Sequence, residues 1–218
     1  SLNAGSLWGR PFYILREAWN ILNAIAEGKI ESGDEKKLNA LKGETMAVIA
    51  LCQFDLTRCF GYPYTKDNGA SLGAPLIDHL VGTYENPSRS TVAQAYDFII
   101  ETLEEAVTLM SEEKNNGRMN KYAARALLAR VYLYHNDNRK AFDMAEQLIK
   151  DVDASGSYAL YPHEKYVAAW SVETKFGSES FFEIANSVDD TPGRDSWGYL
   201  LNWYGYQKGF VTQKYAEQ

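Results

Sequence analysis

Cysteine is scarce in this chain: two in 218 residues, Cys52 and Cys59, too few for a disulfide framework. They stand seven apart in one expected helix, which puts their Cα atoms about 10 Å apart. A disulfide reaches about 7 Å at most, so both read as buried thiols packing as small apolar groups. The redox compartment stays open on this count. Positive charge is also short. Twenty-two Lys and Arg face 29 Asp and Glu, for a net charge of −7 and a pI near 5.1, which excludes a nucleic-acid groove built on clustered cations. Only three histidines occur. His79, His135 and His163 lie far apart, with no HExxH and no Cys/His ligand spacing, so no metal is expected. No GxGxxG, GxxxxGK[ST] or GxSxG appears, which removes the usual dinucleotide, P-loop and serine-hydrolase signatures. No cofactor and no enzyme activity are expected. Asp67-Asn68-Gly69 could suggest calcium, but the other ligands of a calcium loop are missing and a plain β-turn fits better. Acidic pairs such as Glu104-Glu105 and Asp189-Asp190 read as surface charge rather than glycosidase carboxylates. There is no signal peptide, lipidation motif or membrane-spanning run. The chain opens on SLNAGSLWGR without methionine and reads as a processed or truncated piece.

What the chain has in surplus is aromatics: 13%, with 15 Tyr and 5 Trp. Such side chains pair a flat apolar face with a polar edge, which suits recognition surfaces as well as cores. The organising stretch is Gly117 to Lys150. Asn120 is placed to cap a helix. Ala123, Leu127, Val131 and Tyr134 then recur at helical spacing, with Ala126 and Ala129 beside them. His135 to Asn138 supply a turn, and a second helix offers Ala141, Met144, Ala145, Leu148 and Ile149. Small residues at the seam of two antiparallel helices resemble a tetratricopeptide (TPR) hairpin.

Before it, a first helix is expected from Trp8 to about Glu27, with Pro11 in its opening turn. A long helix from Lys36 to Phe60 is apolar on two sides. Met46, Ile49, Ala50, Phe54 and Thr57 line one; Val48, Cys52, Leu56 and Cys59 line the other. Gly61 and Pro63 end it. Residues 61–90 are a long Gly- and Pro-containing loop, and Thr91 to about Met110 is a third helix facing inward through Val92, Tyr96, Ile99, Ile100, Leu103 and Val107. A short helical stretch is expected around 163–170, and Ser180 to Ala185 as a strand or extended segment. Residues 186–210 read as irregular and aromatic.

With these pieces in order, the chain resembles the SusD/RagB family. Leu41-Lys42-Gly43-Glu44, then Phe54-Asp55-Leu56, Arg58 and Phe60-Gly61, resemble its signature helix. Arg89-Ser90-Thr91-Val92, Gly117-Arg118, Ala123 to Tyr134, Tyr158, Leu160, Ser178-Glu179 and Phe182-Glu183-Ile184 follow in family order. Met46 and Ile49 depart from it where basic residues are common, and Asn120 stands for the usual threonine cap.

The resemblance implies a mainly α fold of TPR-like antiparallel hairpins forming an α-α superhelix with long irregular loops. It implies a TPR-like core over 1–185, with 186–218 an aromatic-rich segment leading into a C-terminal part absent from this chain. It further implies a glycan-binding lipoprotein on the extracellular face of the outer membrane, working with a SusC-like TonB-dependent transporter. The membrane would be met only through a lipid anchor that this chain lacks. The ligand candidates are Trp197, Tyr199, Trp203 and Tyr204, with Trp8 near the opening loop, because pyranose C–H faces stack on aromatic rings. Asn202, Asp195 and Arg194 would contact hydroxyls. A TPR-type scaffold binding a peptide, with no carbohydrate role, is the alternative from another class. A half-length helical array also predicts helix faces left uncovered.

Overall fold

The computed structural model describes residues 4–30, 33–114, 117–170 and 175–184. The chain divides into two compact units, Ser1–Glu183 and Ile184–Gln218; the elements below belong to the first. It is mainly helical: α1 (Ala4–Ala26), α2 (Glu35–Phe60), α3 (Val92–Leu109), α4 (Lys121–Tyr134), α5 (Asn138–Ser155) and a single-turn α6 (His163–Tyr166). Two short strands, β1 (Leu72–Pro75) and β2 (Arg89–Thr91), pair antiparallel within the connection from α2 to α3.

Helix α2 sits at the centre because it is apolar on two sides. Met46, Ala47, Ala50 and Phe54 join Tyr96, Ile99, Leu103, Leu128 and Val131 in the larger core with α3 and α4. Ile49, Cys52 and Leu56 turn the other way, onto Leu15 and Ala18 of α1 and onto Ala74 and Ile77 of the loop. Ile49 therefore belongs to the second face, not the first as its spacing suggested. Gly43 sets how closely α2 and α3 approach: a Cβ there would lie 2.7 Å from Met110 Cγ and 2.9 Å from the Ala106 carbonyl.

The signature residues prove to be structural fasteners. Glu44 accepts from Arg118 Nε at 2.9 Å and from the Met119 N–H at 3.0 Å, tying α2 to the approach to α4 across 74 residues. Asn120 caps α4 by accepting from the Ala123 N–H at 3.0 Å, and its amide donates to the Tyr158 hydroxyl at 2.7 Å. Arg125, buried in α4, meets Asp151 of α5 at 2.6 Å, and the guanidinium holds that carboxyl below the usual range.

Several expectations need correcting. Helix α1 starts at Ala4, so Pro11 falls in its second turn; the missing N–H costs one ladder bond, to the Leu7 carbonyl. Residues 61–90 are not a loop throughout, because Arg89 Nε and Nη2 donate to the carbonyls of Gly73 and Leu72 at 2.7 and 2.9 Å and draw β1 and β2 together. Gly61 does end α2, in extended backbone at φ −111°. Its glycine is needed for space, since a Cβ would lie 2.7 Å from the Thr57 carbonyl. Cys59 is exposed while Cys52 is buried, and burial pushes the Cys52 thiol up to about 11. At the α4–α5 seam, Tyr132 and Val152 are buried where Tyr134 and Ile149 were expected; those two are 46% and 62% exposed. In α3, Ala95 and Ala106 complete the buried stripe, while Ile100 and Val107 are only half-buried. Residues 180–184 join no strand; instead Phe181 sets its ring against Tyr158 at 4.8 Å. Apolar side chains are indeed left uncovered, with Leu7, Ile14 and Ile21 on α1 and Phe142 and Ile149 on α5 all exposed.

Candidate functional site

Of the sequence-proposed ligand residues, Trp8 lies among the described ones. Trp197, Tyr199, Asn202, Trp203 and Tyr204, with Arg194 and Asp195, lie outside them. Around Trp8 the structure forms a groove of about 360 Å³, lined by Trp8, Phe12 and Arg16 of α1 and by Pro75, Ile77, His79, Val81 and Pro87 of the α2–α3 connection.

One wall follows from helix geometry. Trp8, Phe12 and Arg16 are spaced four apart, so they stack along one side of α1. The Trp8 ring stands edge-on to Phe12 at 5.0 Å and to Phe60 at 4.7 Å. Two such contacts fix its orientation, yet 39% of the residue stays open to solvent. Arg16 pairs with Glu17 at 2.9 Å, and its guanidinium lies over the Tyr13 ring at 5.0 Å.

The other wall is a segment with little secondary structure, pinned to the helices from beneath. Gln53 is fully buried in α2; its amide donates to the Pro75 carbonyl at 3.1 Å and accepts from the Ile77 N–H at 3.3 Å. Trp19 Nε1 adds a bond to the Ile77 carbonyl at 3.2 Å. Further along, His79 places Nδ1 2.6 Å from Asp78 Oδ1 and Nε2 2.7 Å from Glu85 Oε1. Those two carboxylates raise the imidazole's pKa above its ordinary value. The Gly82 N–H and the imidazole together hold Glu85 below the usual carboxylate range.

Chemically, the groove offers an indole, a phenyl ring, two prolines and aliphatic side chains, edged by a guanidinium, an imidazole and two carboxylates. That set can pack the apolar face of a ring-shaped ligand while hydroxyl-bonding groups wait at the rim. Among the described residues, no cluster of three or more His, Cys, Asp or Glu is placed to hold a metal. Asp67 accepts from the Ser71 hydroxyl, with Asn68 and Gly69 at positive φ, a β-turn arrangement. Sequence reading missed Phe12, Arg16, Ile77 and His79. The 8-12-16 spacing could have flagged the helix wall; nothing local marks the loop residues.

Residues 3–133 match the SusD-like family described as starch-binding and associating with the outer membrane. The chain is 96% identical to a solved SusD superfamily protein from Bacteroides vulgatus ATCC 8482, covering all of this chain and 49% of that one, with a TM-score of 0.95. A SusD superfamily protein from Bacteroides thetaiotaomicron VPI-5482 is 36% identical over 94% of this chain and 44% of its own, with a TM-score of 0.84. A laminarin binding SusD-like protein shares the fold at 23% identity, over 89% of this chain and 40% of its own, with a TM-score of 0.64. A comparison with curated proteins finds no match. The chain belongs to the SusD-like family, and it spans about half the length of the first two solved relatives (49% and 44%).

Proposed function

We propose that this chain is part of a glycan-binding protein that works at the extracellular face of the outer membrane and passes its ligand to a TonB-dependent, SusC-like transporter. The observation that carries the glycan reading is the Trp8 groove. An indole held edge-on by two other rings, and still open to solvent, suits stacking against a sugar ring. It lies within the segment that matches a family described as starch-binding. In this reading the protein binds its ligand without transforming it, and the groove's lining supplies packing surface and hydrogen-bonding groups for that role. Trp197, Tyr199, Asn202, Trp203 and Tyr204 are kept as proposed ligand residues on the strength of the sequence resemblance alone. Among the described residues no helix is long and apolar enough to cross a membrane; the proposed attachment is through a lipid anchor. The exposed Phe142 and Ile149 of α5 support a protein-facing role for the helices, as the transporter partnership requires.

Affinity electrophoresis in gels containing amylopectin or laminarin tests this reading. Retardation of the chain that is lost in Trp8→Ala supports it and puts the platform in this groove. Retardation lost only in a Trp197→Ala/Trp203→Ala double variant moves the platform to the last segment. No retardation in either gel, for this chain and for the longer protein alike, counts against these glycans and favours the peptide-binding alternative.

A further inference from the structure

The outer wall of the groove depends on one side chain that the glycan reading leaves unused. His79 sits between Asp78 and Glu85, with a carboxylate oxygen within 2.7 Å of each ring nitrogen. A neutral imidazole has one N–H and one lone pair, so it can donate to only one carboxylate and repels the other. Only the imidazolium satisfies both. Glu85 in turn accepts the Gly82 N–H through its other oxygen at 3.1 Å, while the Glu85 N–H donates to the Gly82 carbonyl, also at 3.1 Å. A single protonated ring therefore closes the turn between two wall residues, His79 and Val81, and the rest of the connection.

We infer that His79 is the positioning residue of this groove: as an imidazolium bridging Asp78 and Glu85 it holds the outer wall in its ligand-ready shape, and the wall loosens when the ring loses its proton. The statement about ligand rests on the glycan reading above; the statement about the wall does not. From α1, the charged groups on the same groove are Arg16 and its partner Glu17. Their mutual pairing leaves Asp78 and Glu85 as the charges that decide the state of His79. Both carboxylate contacts favour the charged ring, consistent with its raised pKa. The wall is then fully closed below the pKa of an unstructured histidine and loosens as pH rises through the raised, folded value. At the acid end the sign reverses. Glu85 is held below its ordinary pKa, so its share of the clip is present above the ordinary carboxylate pKa and lost as pH falls through the lowered one.

Proton NMR of the imidazole, with His79→Gln to assign the signal, tests the wall directly. The expected result is a His79 titration above that of a free imidazole, moving down toward it in Glu85→Gln. Amide exchange of Gly82 and Glu85 at pH 6.5 should quicken tenfold or more in both variants, with α2 and α3 amides unchanged. His79 titrating at or below the free value, or unchanged exchange in both variants, would overturn the inference. Laminarin gels at pH 6.5 and pH 9 give the ligand arm, with His163→Gln as the control. Retardation should weaken at pH 9 and in His79→Gln but not in the control. If the wild-type chain is retarded at neither pH, laminarin is not the ligand of this groove, while titration and exchange still decide the wall.

Discussion

Gln53 and Phe54 are neighbours in α2, both fully buried, and they serve two different regions. Phe54 faces the helices, with its ring 6.2 Å from Tyr96 and 5.5 Å from Tyr134. Gln53 faces the connection from α2 to α3, spending its whole amide on Pro75 and Ile77. On the helical side, shape and apolar area hold the structure, and many residues share the task. On the groove side, a chain segment with few ladder bonds is held by a handful of side chains that reach its backbone. A core built from packing tolerates the loss of one bond. A wall built from single bonds does not.

The largest effect should come from emptying the helical side. Phe54→Ala removes a fully buried ring and should cost about 3–5 kcal/mol of stability. For a chain of this size that lowers Tm by roughly 2–4 °C per kcal/mol, read by calorimetry as one cooperative loss. Next comes Gln53→Leu, which keeps the volume and removes both bonds. The Ile77 N–H is left buried without this partner, and the part-buried Pro75 carbonyl loses one of its own, at about 1–3 kcal/mol in all. Hydrogen exchange should show this loss concentrated in residues 72–78, with α3 and α4 nearly as protected as before. Equal loosening of α3 and α4 would mean that the two regions are not separable and would sink the comparison.

The same division explains what could be read in advance. Helices α2 to α5 announce themselves by period, cap and small-residue seam, and Asn120 caps where its side chain predicts. Glu44 and Arg118 were legible only as pieces of a motif in order; their pairing was not, because a contact across 74 residues leaves no local trace. The groove was half legible. Trp8, Phe12 and Arg16 share a helical spacing, whereas Pro75 and Ile77 join them through Gln53 and Trp19, contacts that no local pattern announces. His79 is the sharper lesson. Counted as one of three scattered histidines, it argued against a metal, but its meaning lay in the acidic residues one before and six after it.

Thr91 stands at the border of the two regions and should give the smallest of these effects. Its hydroxyl accepts from the Gln94 N–H at 3.1 Å, and the Gln94 side chain accepts the Thr91 N–H at 2.9 Å, a reciprocal capping box. Thr91 also ends β2, paired with Leu72. Thr91→Ala removes the side-chain half of the box and should cost about 1 kcal/mol. The backbone bond from Val92 N–H to the Ser71 carbonyl at 2.9 Å remains, so the β1–β2 pairing should survive. Urea unfolding should therefore show a lower midpoint with an unchanged slope, and exchange should quicken in the first turn of α3 but not in β1. Quickened exchange in β1 as well would show that the helix start and the groove wall rise and fall together, which the separate fasteners Arg89 and Gln53 argue against.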